Sequence, residues 1–334
     1  MATADRASGK PRIVLIAALC LLGAVWPMKR LIEWGAAGPN DFTYFWEAGQ
    51  AALGVYPASK MWFPYPPHAL FLYVPFALLP FLIAWAVYNL YGLALFMLSA
   101  RHYLPRDFPS ILSICTPAAL TCVIYGQTGL VVGALWLWAF SGKWQAVALL
   151  TFKPHLGVLS AISLNRKTVL PTIALAGTLV VASAIFFWDW WPQFFAQVGQ
   201  QSRAIGVNKT WPYIAVGPAV GYGFGGWAVF AGAALYLLSR HVSVFSAATA
   251  ALLVSPYGYH YDMPAASLGF LLALYVETSP ARTVVFATAL MLPLLVRFGA
   301  WIAPPVLLLA LWAQTVGRGA IEISELQDEA QQPA

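Results

Sequence analysis

Long apolar segments, separated by short polar stretches, make up most of this 334-residue chain. They lie at about 13–28, 67–101, 109–125, 128–141, 144–163, 168–188, 213–238, 242–255, 263–277, 283–297 and 300–316. Charged residues are only 9% of the sequence, whereas soluble domains carry about 25%. So few charges cannot cover a surface exposed to water. The pattern therefore predicts an all-α integral membrane protein, because a chain in lipid must satisfy its backbone hydrogen bonds internally.

Two of the segments leave the number of spans open. Residues 67–101 form either one tilted helix or a hairpin broken near Pro75 and Pro80. Residues 144–163 are interrupted by Lys153, which predicts either one kinked span or a re-entrant pair. Since a span needs about 20 apolar residues, fewer where helices are broken, the sequence predicts about 10 to 12 transmembrane helices.

The basic residues lie singly or in pairs between the apolar runs, as topology signals do, so no nucleic-acid partner is expected despite a net charge of +6. Both span counts leave the same three segments outside as loops, at 29–65, 189–212 and 256–262. We expect one polytopic domain over residues 1–318, followed by an acidic, disordered cytoplasmic tail at 319–334. The expected location is the plasma (inner) membrane, with these outer segments on its periplasmic or extracellular side.

The first outer segment contains a predicted helix that begins at Asn40 or Asp41, both good helix caps, and ends at Gly54. Apolar residues recur at helical spacing as far as Leu53. This pattern predicts a short amphipathic helix that lies in the membrane interface. Asp41 stands at its start, where it either only caps the helix or also acts chemically.

Several short motifs follow one another in an order that resembles a known family. They are Asp41, Glu47 to Gly54, Tyr65-Pro66-Pro67, Pro75 to Pro80, Gly126-Gln127, Lys153-Pro154, and Ser255-Pro256 followed by His260. Over about residues 40–265 this order resembles the DUF2029 membrane proteins, glycosyltransferase family 87, which includes polyprenol-phosphate-mannose-dependent mannosyltransferases. The resemblance implies a GT-C-like bundle. It also implies transfer of a mannose-like hexose from a polyprenyl-phosphate sugar to a lipid- or glycan-linked acceptor.

The resemblance further implies roles for individual residues. Asp41 matches the family's catalytic acid and would be the general base, since an acceptor hydroxyl needs a carboxylate close by. One carboxylate opposite a phosphate leaving group suits direct displacement with inversion. Groups that could bind the donor phosphate or sugar are His260, Tyr259, Arg203, Lys209, Lys153 and Gln127.

Structural roles remain open for the same residues. His260 would serve in packing, and Arg203 and Lys209 would be attracted to lipid headgroups. Lys153 would extend its side chain to the membrane surface, and Gln127 would cap a helix. The sequence makes no cofactor certain. A divalent metal is possible but not required, because His260 and Asp262 are too few ligands for a site without others and Arg, Lys and His could suffice for a monophosphate.

Two other functions compete with glycosyl transfer. A lipid-linked sugar flippase or transporter would need polar side chains along a path through the membrane, and Lys153 is the main charge inside an apolar segment. A non-catalytic membrane assembly subunit would have no use for a functional outer carboxylate. The position of Asp41 therefore favours the transferase.

Overall fold

The structure is a computed structural model that describes residues 9–34, 40–55, 57, 62–207 and 214–316, with residues 9, 10, 34, 40 and 200–207 described by their backbone alone. Within these ranges the chain forms sixteen α-helices and no β-strand, which confirms the predicted all-α fold. In chain order they are α1 (Gly9–Trp34), α2 (Asn40–Ala52), α3 (Leu70–Ala77), α4 (Phe81–Ala100), α5 (Pro117–Tyr125), α6 (Gly129–Phe140), α7 (Trp144–Leu149), α8 (Pro154–Gly157), α9 (Arg166–Phe186), α10 (Trp190–Val207), α11 (Pro218–Leu238), α12 (Val244–Val254), α13 (Pro264–Val276), α14 (Pro280–Leu290), α15 (Leu292–Leu295) and α16 (Ala303–Thr315). Short 3-10 turns lie at Pro67–Ala69, Ser110–Ser113, Leu150–Phe152, Val158–Ser163, His260–Asp262, Val296–Phe298 and Ala300–Ile302.

Four of the described helices, α1, α4, α9 and α11, are long and apolar enough to cross a membrane. Only 6–28% of the residues in their most apolar windows are buried inside the protein, so their apolar side chains face outward, where lipid is a suitable solvent. The bent pair Pro280–Leu290 and Leu292–Phe298 would make a fifth span. The chain is thus an integral membrane protein. Five further apolar helices have only 10–17 residues, so the count of 10 to 12 spans stays a prediction.

Both segments that left the span count open are interrupted. The first breaks at 78–80, between α3 and α4, where Pro80 directly precedes the new helix. Pro75 lies inside α3 and does not interrupt it. The second is a series of four short helical pieces, with the chain leaving helical geometry at Lys153 (φ −132°, ψ 66°). Neither segment is one continuous helix.

The three segments predicted to lie outside differ in structure. In the first, α1 continues as far as Trp34, and α2 confirms the predicted helix and its end near Gly54, where φ is 83°. The second was treated as a loop, but it is mainly the helix α10. The third is a short connection that ends in the 3-10 turn His260–Asp262. The predicted acidic tail at 319–334 lies outside the described residues.

The first of these segments contacts the second, and the chain just beyond the second contacts the third. The N–H of Phe63 donates to the side-chain oxygen of Gln197 in α10 (2.8 Å). After α10 the chain pairs with the third segment, where the N–H of Val216 donates to the carbonyl of Gly258 (2.8 Å) and that of His260 to the carbonyl of Ile214 (2.9 Å). The segments therefore meet at one end of the helical bundle.

The apolar face of α2 packs on protein side chains. Phe45 stacks on Tyr73 of α3 with ring centroids 4.7 Å apart, and Phe42 lies 5.2 Å from the ring of Tyr88 in α4. The indole N–H of Trp46 donates to the carbonyl of Leu79 (3.0 Å). Such contacts hold the start of α2, and with it Asp41, against the bundle.

The first residue of α6 allows the closest backbone approach near this end. A Cβ atom on Gly129 would lie 1.6 Å from the carbonyl oxygen of Tyr261 and 2.7 Å from Sγ of Cys122. The Cys122 thiol donates to that same carbonyl (3.0 Å). Any side chain at position 129 would therefore displace the 3-10 turn that carries Tyr261.

Replacement of Gly129 by alanine should destabilise the fold by about 1–3 kcal/mol or more, the usual cost of overpacking a core. Gly177→Ala in α9 is the matched control, because no atom lies within 4 Å of the added Cβ and alanine favours a helix. Thermal unfolding in detergent measures both. Equal melting temperatures for G129A and the parent protein would contradict the close approach.

Candidate active site

A cavity of about 620 Å³, its open mouth included, lies between the first and the third of the predicted outer segments. Aromatic side chains form most of its wall, and a few polar and charged side chains converge on it. The lining residues are Asp41, Tyr44, Phe45, Trp62, Pro64, Tyr65, Gln127, Lys153, His155, Tyr257, Tyr259 and Tyr261. Rings with hydroxyl groups provide apolar surface and hydrogen bonds together, which suits a ligand with many hydroxyls.

Four of the residues selected from the sequence line this cavity: Asp41, Gln127, Lys153 and Tyr259. They come from the start of α2, the end of α5, the break between α7 and α8, and the segment 256–262. The fold thus brings together groups that are far apart in the chain, while their individual roles remain predictions.

Asp41 is half-buried and hydrogen-bonded. The side-chain amide of Gln127 donates from Nε2 to Oδ2 of Asp41 over 2.8 Å. Burial raises the pKa of Asp41 above its ordinary value of 3.8, and the hydrogen bond from Gln127 opposes part of that rise. The carboxylate is therefore a stronger base than an exposed aspartate.

Lys153 is a buried cation with a buried partner. Its ammonium group lies 2.5 Å from Oδ1 of Asp262 and donates to the hydroxyl of Thr128 (3.2 Å). The side chains of Lys153 and Asp262 are 3% and 0% exposed, so Lys153 does not snorkel to the surface. Oδ2 of Asp262 accepts from the backbone N–H of Tyr259 (3.0 Å). Asp262 was not predicted as the partner of Lys153, although it is the one carboxylate of the segment 256–262.

This pairing sets the charge of the cavity. Lys153 is the one Lys or Arg side chain among the described lining residues, and Asp262 neutralises it. Asp41 is left as the uncompensated charge. A phosphate at this site would have to share Lys153 with Asp262 or find its donors elsewhere.

His260 does not line the cavity. It is 1% exposed and its ring lies 6.1 Å from that of Tyr125. Burial, and next the positive charge of Arg297, lower the pKa of His260 to about 3, so the imidazole is neutral at physiological pH. Its predicted contact with the donor has no support from this position, because the side chain lies behind the wall.

His155 occupies the cavity instead. It directly follows Lys153-Pro154 in the sequence, and its ring lies 4.8 Å from that of Tyr257, another lining residue. Sequence reasoning treated Lys153-Pro154 as the motif and overlooked the next residue. Its adjacency to a buried cation was the available signal.

The structure describes the side chain of neither basic candidate in the segment 189–212. Arg203 lies in α10, of which only the backbone is described at that position, and Lys209 lies outside the described residues. In the described part of the chain, no group of three His, Cys, Asp or Glu side chains could hold a metal ion.

Removal of one partner of the Lys153–Asp262 pair should destabilise the protein by about 3–5 kcal/mol, because the other charge stays buried without compensation. Lys153→Met and Asp262→Leu should each lower the unfolding temperature strongly, and the double variant should lose less than the two single losses added together. Lys29→Met is the control. It breaks an exposed pair with Glu33 (3.6 Å), which is worth at most about 1 kcal/mol. Additive losses would show that the two side chains are not coupled.

Comparison with known proteins gives one family. The model of glycosyltransferase family 87 matches residues 62–276, a range that includes Gln127, Lys153 and Tyr259 and begins after Asp41. No curated protein and no solved structure gave a significant match. The match covers well over half of the chain, and the four long apolar helices agree with it. The chain belongs to glycosyltransferase family 87 and is a membrane glycosyltransferase.

Proposed function

We propose that this protein transfers a mannose-like hexose from a polyprenyl-phosphate donor to a hydroxyl group of a lipid- or glycan-linked acceptor. The reaction takes place at the cavity of Asp41, on the outer side of the plasma (inner) membrane, with inversion at the anomeric carbon. The observation that carries the proposal is the position of Asp41. Its carboxylate is half-buried, held by Gln127, and lines an aromatic cavity in a chain of glycosyltransferase family 87.

Asp41 acts as the general base. It takes the proton of the acceptor hydroxyl while the acceptor oxygen forms a bond to the anomeric carbon, and the bond to the donor phosphate breaks with its electron pair. The polyprenyl phosphate leaves as an anion. Burial raises the pKa of Asp41, which strengthens it as a base toward a hydroxyl that is a weak acid.

The leaving phosphate is stabilised by hydrogen-bond donors of the cavity wall. His155 and Tyr259 are lining side chains that can donate without an ionic partner. Lys153 contributes positive charge that it shares with Asp262. Arg203 and Lys209 of the second outer segment are further candidates, since α10 contacts the cavity region through Phe63.

The polyprenyl chain stays in the lipid beside the cavity. Tyr44 and Trp62 line the cavity with exposed rings 5.6 Å apart, and aromatic side chains favour the depth where lipid meets water. A donor whose prenyl tail remains in the bilayer would present its sugar phosphate past these rings to Asp41.

Asp41→Asn should reduce transfer by about 10²–10⁴-fold, the usual contribution of a positioned base. The amide keeps the shape of the side chain and removes its basicity. Purified protein in lipid nanodiscs, given a panel of polyprenyl-phosphate sugars and candidate acceptors, provides the measurement. Asp189→Asn is the control, because Asp189 is an exposed acid of the second outer segment and does not line the cavity. Full turnover in D41N would remove Asp41 as the base, and the absence of turnover with every donor would contradict the proposed activity.

The two histidines should behave differently when each is replaced by alanine. His155→Ala should raise the donor KM by about tenfold or more, the loss of one hydrogen bond to a charged group, with little change in stability. His260→Ala should lower the melting temperature and leave the donor KM unchanged, because its side chain is buried behind the cavity. The opposite pattern would indicate that His260, and not His155, contacts the donor.

A further inference from the structure

Gln127 is placed beside Asp41 by the backbone, and not by its own side chain alone. Gly126 ends α5 in the left-handed conformation (φ 64°), which turns the chain toward α2. The N–H of Gln127 then donates to the carbonyl of Cys122 (2.9 Å). A Cβ atom on Gly126 would lie 2.5 Å from Cβ of Phe42, the neighbour of Asp41. The end of α5 and the start of α2 are therefore in direct contact at this point.

The amide of Gln127 uses only its donor side within the protein. Nε2 donates to Asp41 (2.8 Å), while Oε1 is buried and has no hydrogen-bond partner. This orientation of the amide is set by charge, since a reversed amide would place its oxygen against a carboxylate oxygen. A buried acceptor without a partner costs about 1–3 kcal/mol. The residue is only 6% exposed and lines the cavity, so a bound ligand can supply the missing donor.

We propose that Gln127 is a positioning residue that orients the Asp41 carboxylate through Nε2 and accepts a hydrogen bond from a hydroxyl group of the bound sugar or acceptor through Oε1. The inference rests on the proposed function and goes beyond the two sequence-based expectations for Gln127, which were donor binding and helix capping. One amide thus connects the base to a polyhydroxylated substrate. Binding of that hydroxyl fixes the amide, and the amide fixes one oxygen of Asp41 and leaves the other to take the proton.

The pH dependence of activity distinguishes positioning from a merely structural role. The base works only when deprotonated, so activity is lost as the pH falls through the pKa of Asp41. The hydrogen bond from Gln127 lowers that pKa. Its removal should therefore shift the acidic limb of the kcat/KM profile to higher pH, and a second carboxylate at position 127 should shift it further.

Gln127→Ala should lower kcat by about 10- to 100-fold, the cost of a misplaced reacting group, and move the acidic limb upward. Gln127→Glu should move the limb further in the same direction. Gln50→Ala is the matched control, because Gln50 lies on α2 with Asp41, donates to the carbonyl of Ala77 and does not line the cavity. That control should keep the limb of the parent protein. A Q127A limb that coincides with the parent limb would overturn the positioning role.

Deoxy substrates test the second half of the proposal. With a donor or acceptor that lacks the contacted hydroxyl, the parent protein should lose about as much kcat/KM as Q127A loses with the full substrate. Q127A should then show little further loss with the deoxy compound. The contrary result is that Gln127→Ala lowers kcat/KM, relative to the parent protein, by the same factor for every deoxy compound as for the full substrate. That result would show that Oε1 accepts no substrate hydroxyl.

Infrared difference spectroscopy follows the same carboxyl group without turnover. The protonated carboxyl band of Asp41, identified by its loss in D41N, should titrate at higher pH in Q127A than in the parent protein. An unshifted band overturns the inference whether or not transfer is observed. An inactive parent protein with a shifted band would instead contradict the proposed function and leave the coupling of Gln127 to Asp41 standing.

Discussion

The buried ion pair between Lys153 and Asp262 is the contact on which the site depends. It joins a break in the helical segment 144–163 to the connection between α12 and α13. Asp262 also binds the N–H of Tyr259, so that the pair fixes the tyrosine-rich wall of the cavity. Taking both charges out of water is costly, and the hydroxyl of Thr128 and this N–H compensate part of the cost. The chain thereby holds a loop rigid at the end of a helical bundle.

The neutralised pair also defines what the cavity can do. Because Lys153 is balanced by Asp262, the charge left on the described wall is that of Asp41, which Gln127 holds. A single oriented carboxylate surrounded by aromatic rings and hydroxyl groups suits removal of a proton from a sugar or lipid hydroxyl. His155 and Tyr259 line the same cavity and can donate hydrogen bonds. Charge distribution and family membership thus point to the same chemistry.

Sequence reasoning selected Asp41, Gln127, Lys153 and Tyr259, which line the cavity, because each is a polar group within an apolar segment or next to one. It also predicted α2 and its end at Gly54 from helical spacing. It placed His260 in the site and overlooked His155, since a one-dimensional pattern does not show which side of a loop faces a cavity. It treated 189–212 as a loop, whereas α10 is a helix with mixed polarity, a pattern that hydropathy alone does not distinguish from a loop.

The sequence by itself determined the membrane class and the helical fold, because scarcity of charge and apolar length are local properties that lipid acts on directly. Tertiary structure decided which polar side chains pair with one another. Asp262 pairs with Lys153 across 109 residues and Gln127 with Asp41 across 86, and such contacts depend on the packing of several helices at once. The packing of the apolar face of α2 against α3 and α4 likewise depends on the tertiary structure. Asp41 was visible in the sequence as an acid at a helix start, and the fold gave it an orienting amide and a cavity.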